Sequence, residues 1–196
     1  MNETSLFEGA LVRLAPFDPE NDAEVESRWT HDAEYLRLLE DAPARPLSPG
    51  QVKKKHEGQD KDEQRSFHFS VRRRADDRLV GFVRLQWLEW NHGACTLRLG
   101  IGAPEDRGKG YGREALRLIL RYAFEELNLH RVGTYTFEYN PRAAEFLQKA
   151  GFQIEVRRRQ AVNRDGRRWD TLILGLLRPE WEQTVRSRKS QVQSQA

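Results

Sequence analysis

The glycine-rich stretch at residues 107–112 constrains this chain more than any other part of its sequence. It reads Arg-Gly-Lys-Gly-Tyr-Gly and lies between an apolar run at 97–101 and a long amphipathic pattern that begins at Glu114. A strand that passes through such a turn into a helix leaves backbone N–H groups unpaired around one point, where the helix dipole adds positive potential. Arg107 and Lys109 add formal charge. The pattern therefore predicts a turn that binds an anion, and a phosphate-bearing cofactor is the leading interpretation.

Two common phosphate-binding motifs do not fit this turn. Lys109 is not followed by Ser or Thr, so the ending of a nucleotide P-loop is missing. Gly108, Gly110 and Gly112 are spaced G-x-G-x-G, and no early βαβ unit leads into them, which argues against a dinucleotide fingerprint. Taken alone, the turn is also consistent with a plain connection between a strand and a helix.

A second set of signals defines a short helix at residues 141–150. Asn140 can cap its first turn, Pro141 suits the first helical position, and Gly151 suits the left-handed residue that follows a helix. One amphipathic helix and one strand are predicted between the glycine-rich turn and this capped helix. The two motifs therefore belong to neighbouring elements of one fold.

Together the two motifs closely resemble those of the GNAT family of N-acetyltransferases. Arg107, Gly110 and Gly112 spell Arg-x-x-Gly-x-Gly, which matches the family's loop for the pyrophosphate of acyl-CoA. Asn140 and Ala143 spell Asn-x-x-Ala, which matches the start of the helix beside the pantetheine arm. The motifs occur in the family's order and at its separation.

The segments at 165–170 and 179–181 further resemble the RimJ/RimL-like branch, which includes acetyltransferases of ribosomal proteins and small amines. The resemblance is specific from about residue 79 to residue 181. It implies an α+β (α/β-type) GNAT fold, with a mixed, mostly antiparallel twisted sheet of about six or seven strands flanked by helices. Residues 1–185 are expected to form a single N-acetyltransferase domain, and residues 186–196 a flexible polar tail.

Apolar periodicity predicts a compatible order of elements. Before the turn, strands are expected at 10–16, around Phe67, at 79–90 and at 94–102. Helices are expected within 19–40 and 49–57. The last three of these strands along the chain would form an antiparallel meander. After the turn, the amphipathic helix would cross over to a parallel strand at 132–137. A hairpin turn is expected at 163–166.

The resemblance implies that acetyl-CoA is the co-substrate and that two segments hold it. Its pyrophosphate is expected on the turn formed by Arg107, Gly108, Lys109, Gly110, Tyr111 and Gly112. In this family the strand before the turn bulges and parts from its neighbour, which would place Leu99, Gly100 and Ile101 against the acetyl group, with a backbone N–H to polarise its carbonyl. Glycines that only mark a bulge are the alternative explanation for Gly100 and Gly102.

Acetyl transfer also needs a group that takes a proton, because an alkylamine with a pKa near ~10 arrives as an ammonium. Many family members carry a glutamate on the strand before the loop, where this chain has Thr96 and Leu97, and a tyrosine on the capped helix, where it has Leu147. The remaining candidates are Glu138 and Tyr139, which end the strand before the capped helix. A solvated turn would also explain both residues.

Composition limits the other classes of function. The chain has 196 residues, a formal net charge of +3 and one cysteine. It is long enough for one substantial core, too weakly charged to indicate nucleic-acid binding, and unable to form an intrachain disulfide. No apolar run approaches membrane-spanning length, so no membrane partner is expected and a cytoplasmic location is the default expectation. The five histidines are scattered without metal-ligand spacing, so no metal is expected.

The acceptor is expected to be a small-molecule amine or a protein N-terminus that attacks the thioester directly. Cys95 lies roughly 13 Å along an extended strand from Leu99, too far to carry the acetyl group. A catalytically silent acyl-CoA-binding regulatory domain is the alternative, since the family's glutamate and tyrosine are missing. The larger aromatic residues are expected mostly in the core, with a substrate groove or a homodimer face as alternatives: Trp29, Tyr35, Trp87, Trp90 and Trp169.

Overall fold

Alternating apolar and polar residues build the predicted antiparallel meander from β2 (Ser66–Arg73), β3 (Leu79–Glu89) and β4 (Ala94–Ile101). The computed structural model describes residues 5–60 and 65–193. Its other strands are β1 (Val12–Ala15), β5 (Arg131–Phe137), β6 (Gln153–Arg164) and β7 (Arg167–Leu177). The sheet order is β1-β2-β3-β4-β5-β7-β6; β4 and β5 run parallel and the other neighbours run antiparallel. The predicted mixed, mostly antiparallel sheet flanked by helices is confirmed.

Six α-helices accompany these strands in the described part of the chain. They are α1 (Asp22–Trp29), α2 (Ala33–Leu39), α3 (Pro49–Asp60), α4 (Tyr111–Arg121), α5 (Pro141–Lys149) and α6 (Arg178–Gln193). α3 begins with a capping box, since the Ser48 N–H donates to Gln51 Oε1 (2.9 Å) and the Gln51 N–H donates to Ser48 Oγ (3.3 Å). Within residues 5–60 and 65–193, no helix combines the length and the apolar character needed to cross a membrane.

The amphipathic helix α4 builds the main core against one face of the sheet. Ala115, Leu118 and Ile119 are at most 1% exposed and belong to the same buried cluster as Val83 and Leu97 of the central strands. α4 also makes the predicted crossover, because it connects β4 to the parallel strand β5. A 3-10 turn (Pro104–Asp106) precedes the helix, and a π-helical turn (Tyr122–Glu126) follows it.

The helices α1 and α2 cover the opposite face of the sheet. Trp29 and Tyr35 are buried with Leu79 in a second, smaller apolar cluster. Trp87 and Trp90 at the end of β3 are instead 60% and 50% exposed. The prediction that aromatic residues lie mostly in the core therefore holds for the helices and is wrong at the end of β3.

The predicted flexible tail differs from the structure over residues 186–193, which continue the helix α6 to Gln193. Glu180 accepts the Leu177 N–H at the start of this helix (2.9 Å), and Trp181 packs against Phe124 with a ring separation of 5.1 Å. Beyond Pro179 the sequence has Arg, Lys, Gln and Ser but no glycine or proline to stop a helix. Polarity alone was therefore a poor guide to helix length. Residues 194–196 lie outside the described part of the chain.

Candidate active site

An opening between the parallel strands β4 and β5 forms a cleft at the centre of the sheet. The strands pair over three positions only, the last being Thr96 with Gly133. Beyond that pair, Thr134 Oγ1 donates to the Leu97 carbonyl (3.0 Å) and regular pairing ends. The resulting cleft has a volume of about 170 Å³ and is lined by Leu38, Leu39, Leu97, Arg98, Leu99, Leu116, Thr134, Tyr135, Thr136, Asn140, Ala143, Phe146 and Leu147.

Backbone groups of β4 face this cleft in an alternating pattern. The Leu97 carbonyl is bonded from the β5 side, and successive residues of a strand direct their N–H and C=O groups to opposite neighbours. The Leu99 N–H therefore faces the gap, whereas Gly100 faces β3, where it is in register with Phe82. Of the three residues predicted against the acetyl group, Leu99 lines the cleft, while Gly100 and Ile101 lie outside its lining.

Gly100 in β4 and Gly102 just after it make room for aromatic side chains rather than for a bulge. Within the described sheet, β4 stays in continuous register with β3 from Thr96 to Ile101, so the bulge predicted there is wrong. A Cβ on Gly100 would lie 2.7 Å from the Tyr35 hydroxyl, and a Cβ on Gly102 would lie 2.0 Å from the Trp29 ring. The helices α1 and α2 therefore pack so closely on the sheet at these two positions that only glycine fits.

The glycine-rich turn has the geometry that an anion site requires. Gly108 and Gly110 have φ angles of 80° and 89°, in the left-handed region that favours glycine. The first hydrogen bond of α4 runs from the Glu114 N–H to the Gly110 carbonyl (3.0 Å). The N–H groups of Tyr111 and Gly112, which come earlier in the turn, therefore have no acceptor within the helix. They meet the positive end of the helix dipole at this point.

The Arg107 side chain is held by neighbouring groups of the protein. Its guanidinium donates to the carbonyl of Gly102 (2.5 Å), to that of Ile101 (3.3 Å) and to Asp32 Oδ2 (3.0 Å). It also lies 5.2 Å from the centre of the Tyr35 ring. Its formal charge is thus already matched by Asp32 at the start of α2. Arg107 joins the end of β4 to α2, and a role for its guanidinium in binding the anion stays a prediction.

The helix α5 begins as predicted and borders the same cleft. Asn140 Oδ1 accepts the Ala143 N–H (3.2 Å), and Asn140 Nδ2 donates to the Leu38 carbonyl at the end of α2 (3.3 Å). Gly151 follows the helix with φ at 106°. Because β4 and β5 are parallel, the helices that follow them, α4 and α5, both begin at the same edge of the sheet. Two helix N-termini therefore flank the mouth of the cleft.

Glu138 and Tyr139, the predicted catalytic residues, are engaged outside the cleft. Glu138 Oε2 accepts the Asp170 N–H (3.1 Å), and its other oxygen lies 3.5 Å from Arg157 on β6. Tyr139 donates its hydroxyl to the Arg37 carbonyl (2.9 Å) and packs against Trp169, with ring centres 5.6 Å apart. The β5–β7 pairing explains this orientation, because it turns the end of β5 toward β7. Their predicted catalytic role therefore has no geometric support.

Arg98 is a cleft residue that the sequence motifs did not indicate. It is 8% exposed, its guanidinium lies 4.4 Å from the centre of the Tyr135 ring, and it donates to the Leu39 carbonyl. Burial raises the pKa of the Tyr135 hydroxyl, while Arg98 acts in the opposite direction. The one sequence signal available for this residue was an arginine in the middle of a predicted strand. Such an arginine requires partners if it is buried.

The fold also assembles a cluster that the spacing of histidines in the sequence did not predict. Glu26, His56 and His68 come from α1, α3 and β2, and their ligating atoms all lie within 4.8 Å of one another. Their separation along the chain concealed this proximity. The cluster lies on the face of the sheet that carries Arg98, away from α4.

The seven-stranded sheet, the opening between β4 and β5 and the two helix N-termini define a class of protein. Residues 12–153 match the family model described as acetyltransferase (GNAT) domain. The chain belongs to this family of acetyl-CoA-dependent N-acetyltransferases, as the resemblance of its two motifs implied.

Individual relatives agree with this assignment. The chain is 38% identical over 127 residues to a probable N-acetyltransferase, YjcK, of Bacillus subtilis, covering 63% of this chain and 67% of that protein. It is 31% identical over 88 residues to the ribosomal protein uS5-alanine N-acetyltransferase of Escherichia coli, covering 45% of each. The structure resembles spermidine N-acetyltransferase from Vibrio cholerae in complex with CoA and spermine, with a TM-score of 0.78, 20% identity, and coverage of 88% of this chain and 99% of that one.

Proposed function

We propose that this chain transfers the acetyl group of acetyl-CoA to a primary amine, with the thioester held in the cleft between β4 and β5. The observation that carries the proposal is the early end of β4–β5 pairing at Thr96 and Gly133. It leaves an opening between parallel strands whose following helices both begin at its mouth. Such a site can hold the phosphate-bearing end of acetyl-CoA and its extended thioester arm at the same time.

The backbone supplies most of the binding groups for the cofactor in this proposal. The N–H groups of Gly108, Lys109, Gly110, Tyr111 and Gly112 surround the pyrophosphate, supported by the α4 dipole. The pantetheine arm passes Asn140 and Ala143, which line the cleft. The Leu99 N–H, which faces the gap, polarises the thioester carbonyl as negative charge develops on its oxygen.

The transfer is direct in this proposal, without an acetylated cysteine. Cys95 lies in the paired part of β4, in register with Val132, and is 6% exposed. Burial raises the pKa of its thiol to about 12, so the reactive thiolate is scarce at neutral pH. The amine nitrogen therefore attacks the carbonyl carbon itself. The C–S bond then breaks, and CoA leaves as a thiolate. This thiolate takes up the last proton that the nitrogen loses.

The acceptor in this proposal is a protein N-terminus or a small amine of the RimJ/RimL-like kind, in a cytoplasmic setting. Arg98 contributes a buried guanidinium to the cleft. Such a cation favours an amine with one positive charge and a nearby carbonyl or carboxylate, and disfavours a polyamine with several charges. An α-amino group at the start of a peptide has this chemistry. The spermidine acetyltransferases of similar fold thus mark the competing acceptor class.

The test measures CoA release from acetyl-CoA with a short peptide that begins with alanine and with spermidine. The expected result is turnover of both, with a higher kcat/KM for the peptide. Arg98→Met should lower kcat/KM for the peptide by about tenfold, the value of one charge-assisted hydrogen bond, and leave spermidine unchanged or improved. Arg98→Lys is the control that retains charge. Binding of acetyl-CoA without turnover of either amine would instead support a silent regulatory domain.

A further inference from the structure

Four consecutive carbonyl groups at the end of α2 each accept a hydrogen bond from a different side chain. The donors come from β4, from the segment after β5 and from β6. The pairs, with the carbonyl first, are Arg37 with the Tyr139 hydroxyl (2.9 Å), Leu38 with Asn140 Nδ2 (3.3 Å), Leu39 with Arg98 Nη2, and Glu40 with Arg164 Nη2 (2.6 Å). The last carbonyls of a helix have no partner within the helix, so other groups must satisfy them. Two of these donors are cations, which the negative end of the helix dipole also favours.

The cleft between β4 and β5 opens to both faces of the sheet. Leu97 belongs to the main core that α4 builds, and successive residues of a strand face opposite sides. Arg98 therefore faces the side of α2, where its guanidinium bonds the Leu39 carbonyl and lies 4.4 Å from the centre of the Tyr135 ring. On this side the lining of the cleft consists of Leu38, Leu39, Arg98 and Tyr135.

The other half of the cleft is the one that the cofactor fills in the proposed function. Helix α4 and the helix α5 with its cap contribute to that half Leu116, Asn140, Ala143, Phe146 and Leu147. The N-termini of these helices are the proposed sites for pyrophosphate and pantetheine. An amine that attacks the thioester must then approach from the α2 side, where the cofactor leaves room. We call the group of Leu38, Leu39, Arg98 and Tyr135 the acceptor half.

Leu38 and Leu39 form the wall of the acceptor half that does not belong to the sheet. Both side chains are half-buried. Helix α2 has only seven residues, and the segment at 41–46 that follows it is exposed and has no regular secondary structure. The carbonyls of the same two leucines are bonded to Asn140 and Arg98. The position of the wall therefore depends on the polar contacts that hold the end of α2.

Arg164 holds the end of α2 from outside the cleft lining. It ends β6, and its Nη2 donates to the Ala42 carbonyl (3.3 Å) as well as to the Glu40 carbonyl. The next residue, Asp165, forms an ion pair with Arg37 of α2. The β6–β7 hairpin is thus joined to α2 through both backbone and side-chain groups. Since Arg164 does not line the cleft, it can affect an acceptor only through α2.

We propose that Arg164 is a positioning residue for the acceptor amine. By holding the end of α2, it fixes Leu38 and Leu39 as the wall beside which the amine lies when its nitrogen meets the thioester carbonyl. Tyr139 is a second positioning residue, through the Arg37 carbonyl. The apolar wall suits an amine next to a small uncharged side chain and disfavours a second charge there. The inference rests on the proposed function and concerns the acceptor alone, because neither residue contacts the cofactor half.

The test is steady-state kinetics with acetyl-CoA and the peptide that begins with alanine. Arg164→Met removes the donors to the end of α2 and keeps an extended side chain, whereas Arg164→Lys keeps a cation. Arg168→Met is the matched control for the loss of charge. Arg168 lies in the same hairpin, is exposed, and donates no hydrogen bond to α2 among the described residues. Tyr139→Phe removes a single hydroxyl.

Arg164→Met should raise KM for the peptide by about tenfold, the value of one charge-assisted hydrogen bond, while KM for acetyl-CoA stays at the parent value. Arg164→Lys should recover part of this loss, because its ammonium can still donate to a carbonyl. Tyr139→Phe should also raise KM for the peptide, with the pH dependence of the parent. Arg168→Met should match the parent for both substrates.

Two further measurements examine the wall itself. In Arg164→Met the backbone amides of residues 36–40 should exchange hydrogen faster, while those of α4 keep the parental rates. Leu39→Ala should enlarge the acceptor half and raise kcat/KM for a peptide that begins with leucine relative to the peptide that begins with alanine. Unchanged exchange at 36–40 would contradict the anchoring role, and an unchanged preference in Leu39→Ala would contradict the position of the wall.

The kinetic outcomes separate this inference from the proposed function. A parent protein that turns over neither the peptide nor spermidine overturns the proposed function and the positioning role with it. An active parent whose peptide KM is unchanged in Arg164→Met overturns the positioning role alone. Equal rises in KM for the peptide and for acetyl-CoA also overturn it, since they indicate general disruption of the site. If Arg164→Met does not fold, Tyr139→Phe decides by the same comparison of the two KM values.

Discussion

Arg78 and Asp106 form a two-pronged ion pair, with N–O distances of 2.6 and 2.8 Å, immediately before the glycine-rich turn. The Asp106 side chain is fully buried, whereas that of Arg78 is 39% exposed. Asp106 ends the 3-10 turn that leads from β4 into the anion site. The pair therefore fixes the backbone from which the turn at 107–112 departs.

Arg78→Met should destabilise the protein by about 3 kcal/mol, because it leaves a buried carboxylate without its partner. Denaturant unfolding gives this free energy, and calorimetry should also find weaker binding of acetyl-CoA as the turn loosens. Lys53→Met is the matched control, since Lys53 pairs with Glu20 on the surface (2.6 Å). It should cost less than about 1 kcal/mol. Equal losses in both variants would contradict the structural role of the Arg78–Asp106 pair.

Two variants of Asn140 should separate its role in capping α5 from its role in connecting α5 to α2. Asn140→Ala loses the cap on the Ala143 N–H and should cost about 1 kcal/mol of stability. Asn140→Asp keeps the accepting oxygen but loses the donor to the Leu38 carbonyl. Both variants should bind acetyl-CoA more weakly, with Asn140→Asp losing less stability. Parental binding and turnover in Asn140→Asp would show that the amide donor is not needed at the cleft.

Cys95→Ala should retain near-parental turnover. The thiol is buried in the paired part of β4 and its pKa is raised to about 12, so it is a poor nucleophile. The truncation should cost about 1 kcal/mol through the small cavity it leaves. Mass spectrometry of the enzyme during turnover should detect no acetyl group on Cys95. An acetylated Cys95, together with loss of activity in the variant, would overturn direct transfer.

The periodic parts of the fold could be predicted from sequence because each signal was local. The alternation in β2 and β3, the apolar stripe of α4 and the cap at Asn140 are properties of adjacent residues, and the structure confirms all of them. The helix α6 was missed because a polar segment without a stop signal is compatible with either a helix or a tail.

The side-chain geometry of the site could not be predicted, because it depends on which helix packs where. The charge of Arg107 is matched by Asp32 of α2, far away in sequence. Gly100 is a glycine because Tyr35 of the same helix approaches it. Glu138 faces β7 because of the register of β5. Each of these contacts joins residues that no local pattern connects, so motif matching placed the backbone of the site but not its side chains.

Binding of acetyl-CoA with its pyrophosphate on the glycine-rich turn is tested most directly by calorimetry on a matched pair of variants. Gly110→Asp and Gly166→Asp each place a carboxylate on a left-handed glycine, with φ angles of 89° and 70°. The two variants carry a similar backbone strain and the same charge. Gly166 lies in the β6–β7 hairpin, where a Cβ would have no neighbour within 4 Å among the described residues.

Gly110→Asp should abolish binding of acetyl-CoA, because it adds bulk and like charge where the backbone must meet phosphate. Gly166→Asp should bind with parental affinity, although it loses a similar amount of stability. A folded Gly110→Asp protein that binds acetyl-CoA as tightly as Gly166→Asp and the parent would contradict the claim that the turn holds the pyrophosphate.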